Sequence, residues 1–141
     1  MISYLGNSII YISLILTILF YINLLRKIIP STTLSLKLIY FINLIPFGLL
    51  VYGFSISDFT LLNVVENSYV DDPIFYKVTS AWGSHEGSIL LWVFLINLFG
   101  VFFLIKNQTI EIHKNILFIS TLFVLYVVIS SNPFTYVEAN E

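Results

Sequence analysis

The chain has 141 residues, 58% of them hydrophobic and only 10% charged, with a mean hydropathy of +0.96, which leaves far too much Leu, Ile and Phe for a water-soluble fold to cover. Six Lys and Arg and a net charge of -2 exclude the basic stripe that a phosphate backbone needs, so nucleic acid is not an expected partner. The absence of cysteine excludes disulfides, thiolate metal ligands, thiol nucleophiles and covalent haem attachment to this chain.

The first apolar run, residues 8–25, carries no charge and at 1.5 Å per residue nearly crosses a hydrocarbon core of about 30 Å. It follows no basic n-region and no small-residue cleavage site, so it is read as a retained anchor. Arg26 and Lys27 stop it, and Pro30 with Ser31, Thr32, Thr33 and Ser35 marks a short polar connection. A second span covers residues 36–56, with Pro46 inside it predicting a kink near Gly48 and Gly53.

Between residues 57 and 77 the apolar runs shorten, and Asp58, Glu66, Asp71 and Asp72 appear. This reads as a solvent-side loop, with a short amphipathic helix across residues 59–65 and a solvated turn at Asp71-Asp72-Pro73. The third span is predicted over 87–105 and ends at Lys106; the fourth is predicted over 115–131 and closes at Asn132-Pro133. Thr135 to Glu141 form an acidic tail. The expected fold is all-α, one polytopic bundle of four transmembrane helices over residues 1–141.

Charge sets its orientation. Arg26, Lys27, Lys37, Lys106 and Lys114 fall in the first and third connections, and Lys77 alone among the basic residues falls in the second. By the positive-inside rule the first and third connections face the cytoplasm or matrix. Asp58, Glu66, Asp71, Asp72, Glu86, Glu138 and Glu141 all fall on the other side, and Glu111 alone falls inside. Both termini and the 57–77 loop are then expected to face outward. The Asn107-Gln108-Thr109 sequon would lie inside and is read as chance.

The richest polar and aromatic segment is Trp82-Gly83-Ser84-His85-Glu86-Gly87-Ser88, followed by Trp92. On one continuous helix, Trp82, His85, Ile89 and Trp92 would share a face, with Gly83 and Gly87 opposite. The glycine face would admit a neighbouring helix at short distance. The other face would meet a ligand, a partner or the headgroup belt. His85 and Glu86 stand out, because ionisable groups near a membrane helix end must be hydrated, paired or used. No metal site is expected: zinc needs more ligands than one histidine, and His113 falls on the opposite side. Nor do catalytic triads, phosphate loops or paired catalytic carboxylates assemble.

At this cluster the chain resembles the CcmF family, polytopic subunits of the haem lyase of cytochrome c maturation. The resemblance rests on Gly6-Asn7, Ser57-Asp58-Phe59-Thr60, Asn67-Ser68, Phe75-Tyr76-Lys77-Val78, residues Trp82 through Trp92, and Ser131-Asn132-Pro133-Phe134. It implies a component supporting covalent attachment of haem to apocytochrome c at the outer face of the membrane. It also implies haem handled by the assembly, and as partners the remaining CcmF-like chains and other maturation subunits. Trp82, His85, Glu86 and Trp92 become the expected haem or partner contacts, with Gly83 and Gly87 in helix packing. Members of the family continue past the Ser-Asn-Pro-Phe element into a tryptophan-rich segment and haem-ligating histidines, which are not in this sequence. It therefore resembles the N-terminal piece of a split subunit, for which catalysis alone is not expected. An Ile-, Phe-, Tyr- and Asn-rich composition fits an organelle's genome. The expected location is the mitochondrial inner membrane with termini toward the intermembrane space, the alternative being a bacterial plasma membrane with termini in the periplasm. A small hydrophobic subunit of a respiratory proton-translocating complex is the competing reading; it requires ionisable residues along a mid-membrane route.

Overall fold

A computed structural model of the protein describes residues 1–26, 33–106 and 109–137. Among these residues are six helices: α1 (Ile2–Arg26), α2 (Thr33–Ser55), α3 (Leu62–Asn67), α4 (Ile74–Gly83), α5 (His85–Ile105) and α6 (Ile110–Ser130). Four of them, α1, α2, α5 and α6, are long and apolar enough to cross a membrane. The chain is a multi-pass membrane protein. Large side chains such as Leu19, Phe41, Phe99 and Ile129 cover the outside of the bundle, as they must where the surrounding solvent is hydrocarbon.

The long helices pack in a ring, α1 on α2, α2 on α5, α5 on α6 and α6 on α1, each running against its neighbours in up-and-down order. This brings Arg26, Lys37, Lys106 and Lys114 to one end and Asp58, Glu66, Asp71, Asp72 and Glu86 to the other. We refer to these as the basic and acidic ends. Lys27, Pro30, Ser31, Thr32, the sequon asparagine Asn107, Glu138 and Glu141 lie outside the described residues.

Each long helix differs from its predicted bounds. The first begins six residues before the expected Ser8, because Ser3 and Asn7 are satisfied by a distant segment: both donate to the Phe134 carbonyl, at 2.6 and 3.1 Å. The second starts at Thr33 and runs through Pro46 before stopping at Ser55, where Ser57 takes a left-handed φ of 55°. The third begins at His85, capped by Ser84. The fourth starts at Ile110, five residues early: Glu111 and Lys114 pair at 2.7 Å one turn apart, and His113 is buried.

Two apolar clusters fill the bundle. One, at the acidic end, is built around Leu50, Phe54, Leu61, Val93, Val127 and Phe134; a smaller one at the basic end includes Leu24, Leu36, Tyr40 and Leu117. In the basic-end cluster the Tyr40 ring lies over Gly100, where any side chain would collide with it. The Tyr40 hydroxyl meets His113 Nδ1 at 2.8 Å, with both residues buried. Tyr40→Phe therefore strips a buried imidazole nitrogen of its partner. We expect a loss of about 1–3 kcal/mol, read as earlier unfolding of the purified protein in detergent with helix content unchanged before the transition.

Candidate functional site

Among the described residues, the helices outside the spans, α3 and α4, lie at the acidic end. Residues 57–77, expected to be a loop with one short helix, instead hold α3 and the start of α4. Asp58 shapes the entry: its Oδ1 accepts from the backbone N–H and the hydroxyl of Thr60, at 3.2 and 2.7 Å, the local side-chain-to-backbone bonding typical of Asp in turns. Asp72 Oδ2 accepts from the Tyr69 N–H, so the Asp-Asp-Pro turn is held from within. Lys77 reaches back from α4 to the Val70 carbonyl at 2.7 Å.

The segment after the fourth span closes over this end. Asn132 donates to Asn7 Oδ1 at 2.6 Å, and its own Oδ1 accepts from the Phe134 N–H at 3.0 Å. The Phe134 ring is fully buried against Gly6, whose position has no room for a side chain. Leu61 and Tyr136 form an antiparallel bridge, flanked by Leu62 N–H to the Thr135 carbonyl and Val137 N–H to the Thr60 carbonyl. The sequence predicts an acidic tail from Thr135 onward; residues 131–137 are instead bonded to α1 and to the approach to α3. Apart from the local Asn132–Phe134 bond, each of these joins residues more than 60 positions apart, so no local signal announces them.

The tryptophan–histidine segment is not one helix. Ser84 sits between α4 and α5 in extended geometry (φ -76°, ψ 157°), and its hydroxyl accepts from the Gly87 N–H at 3.0 Å. This is an N-cap, and it restarts the helix in a new direction. Trp82 consequently belongs to α4, while His85, Ile89 and Trp92 belong to α5; the shared face expected of a continuous helix does not exist. Gly83 and Gly87 fall on opposite sides of the break. Gly83 faces open space, whereas a Cβ at Gly87 would collide with the backbone carbonyl of Ala81. The close approach at Gly87 is thus made to its own preceding helix.

His85 leans toward the fourth span, with Nδ1 3.3 Å from Ser131 Oγ. Glu86 Oε1 stands 4.0 Å away from the same nitrogen, and the two side chains are 64% and 37% exposed, which leaves any ion pair between them screened and weak. The imidazole is therefore positioned yet accessible. Trp82 and Trp92 are 40% and 57% exposed; Trp92 lies two turns further along α5, about 10 Å deeper in the span. His113, bonded to Tyr40 at the basic end, is a helix length away from His85. The two histidines therefore cannot act at one site.

No family model matches the chain. Among curated proteins it is 42% identical over 97 residues to the cytochrome c-type biogenesis protein CcmF of Haemophilus influenzae, a match covering 64% of this chain and 15% of that protein. Against CcmF of Escherichia coli it is 37% identical over 95 residues, covering 63% of this chain and 15% of that one. The chain is CcmF-like. A solved structure described as cytochrome c heme lyase CcmF superposes on all of this CcmF-like chain and 26% of its own, with a TM-score of 0.83 and 21% identity, which establishes the shared fold. The CcmF-like chain thus matches only about 15% of the length of these curated relatives.

Proposed function

We propose that this protein is a component of a cytochrome c-type haem lyase, an anchoring and scaffolding bundle that supports covalent attachment of haem to apocytochrome c. The observation carrying this reading is identity of about 40% to proteins named for cytochrome c-type biogenesis. The acidic end is the working face. Residues 57–87 and 131–137 form its platform, and Trp82, His85, Glu86 and Trp92 are the residues that meet haem or a partner chain. In this reading the bundle is the N-terminal part of a multi-chain assembly in which other CcmF-like chains and maturation subunits supply the rest.

The charge segregation supports an orientation with the basic end in the matrix or cytoplasm and both termini on the other side. The mitochondrial inner membrane is the location favoured by the composition. Haem, when bound by the assembly, supplies the vinyl groups to which the apocytochrome thiols add. What this chain offers is one accessible imidazole and two exposed indoles, surfaces suited to holding a flat aromatic macrocycle.

The test is isolation of the tagged protein from its own membranes in mild detergent. Cytochrome c maturation subunits are the expected companions; recovery with respiratory dehydrogenase subunits instead would overturn the assignment. In the same cells His85→Ala should lower haem-stained holocytochrome c severalfold while membrane insertion and yield stay unchanged. Holocytochrome at the wild-type level would remove His85 from the site.

A further inference from the structure

Midway along the bundle the two apolar clusters are separated by a polar layer to which every long helix contributes one side chain: Thr17, Asn43, Asn97 and Ser120. All four are at most 1% exposed. Asn43 of α2 donates through Nδ2 to Thr17 Oγ1 of α1 and to the Ile39 carbonyl, both at 3.0 Å. Asn97 of α5 donates through Nδ2 to Ser120 Oγ of α6 and to the Val93 carbonyl, both at 2.8 Å. The layer therefore consists of two similar halves, one in α1 and α2, the other in α5 and α6.

The neighbours fix how the halves meet. On the antiparallel α2–α5 pair, Tyr40 lies over Gly100 and the Phe47 ring packs tilted against Phe94 with centroids 5.2 Å apart. Three or four residues is one helical turn on the same face, so Asn43 and Asn97 come level with each other between these two contacts. Each has its Oδ1 buried without a hydrogen-bond partner among the described residues.

Proton counting limits what can satisfy these oxygens. An amide NH₂ has two protons, and both are engaged in Asn43 and in Asn97, so neither amide can donate to the other's oxygen without abandoning a bond it already makes. The layer has two spare acceptors, no amide donor left for them, and neither the Thr17 nor the Ser120 hydroxyl within hydrogen-bond reach of either. We propose that it binds one ordered water molecule, which donates one proton to Asn43 Oδ1 and the other to Asn97 Oδ1. Water is the smallest molecule with two donors, and buried waters characteristically bridge such groups. A bare cation fits less well. Hard cations take six or more oxygens, more than the two amide oxygens and two hydroxyls here, and the layer carries no negative charge to offset a cation at mid-membrane depth. The water would join the α1–α2 half of the bundle to the α5–α6 half where hydrocarbon offers no competing hydrogen bonds.

The experiment is water-edited solid-state NMR on the full chain in lipid vesicles, with the Asn43 and Asn97 side chains assigned in the wild type by backbone-to-side-chain correlation. Magnetisation from water should reach both side-chain amides severalfold faster than it reaches the buried methyls of Leu50 and Val124, and replacing sodium by potassium or by a large organic cation should change nothing. Build-up as slow as at those methyls would overturn the proposal. So would side-chain shifts that follow the identity of the cation. Asn43→Leu/Asn97→Leu, which removes both acceptors, should abolish the fast transfer to this depth; the wild-type measurement decides the question even if that variant does not insert.

Discussion

Gly87→Val is expected to dismantle the acidic-end site while leaving the four spans in the membrane. A Cβ at this position runs into the Ala81 carbonyl, which is backbone within the last turn of α4 and cannot swing aside as a side chain tip would. Relief requires α4 to move away from α5 or the Ser84 cap to open, and either displaces Trp82 relative to His85. Overpacking of this kind costs about 1–3 kcal/mol when side chains yield, and the upper end applies where backbone must yield. The check is the distance between spin labels on α4 and α5, together with holocytochrome c yield: both should change, with insertion retained. Gly83→Val supplies the control. Gly83 has nothing near its Cβ direction, so the same substitution four residues earlier should disturb the break far less.

Phe134→Ala should release the segment that closes the acidic end. The ring is fully buried beside Gly6, and the Phe134 carbonyl accepts from both Ser3 and Asn7. Truncating a buried Phe costs about 3–5 kcal/mol, and without the ring those backbone bonds are opened to water. The start of α1 and the bridge between Leu61 and Tyr136 should loosen together. Hydrogen exchange is the suitable measurement, since Leu62 and Val137 N–H bond across this junction. Both amides should lose protection in Phe134→Ala while amides at the middle of α5 keep theirs. Protection unchanged at Leu62 and Val137 would show that the junction stands without the ring.

The membrane-spanning fold was readable because its signal is local and strong. A run of 18 or more apolar residues can be satisfied only by a helix in lipid, and the charges that bracket each run lie beside it in the chain. The boundaries were less readable for the complementary reason. Ser3, Asn7 and His113 look like residues outside a span until their partners are known, and those partners, Phe134, Asn132 and Tyr40, are distant in sequence. Helix periodicity across residues 82–92 likewise gave no sign of the Ser84 break. Ser84, followed three residues later by Gly87, was nevertheless a usable cue, since Ser is among the strongest N-cap residues.

By itself the sequence determined the solvent, the number of spans, the segregation of charge and the family resemblance, because each depends on residue type or on neighbours within one helix length. Only the tertiary structure decided that residues 131–137 close the acidic end, that Trp82 and His85 sit on different helices, and that Thr17, Asn43, Asn97 and Ser120 form one level. The physical reason is that a polar group inside a bilayer must find its partner within the protein, and that partner is chosen by packing between helices rather than by position along the chain.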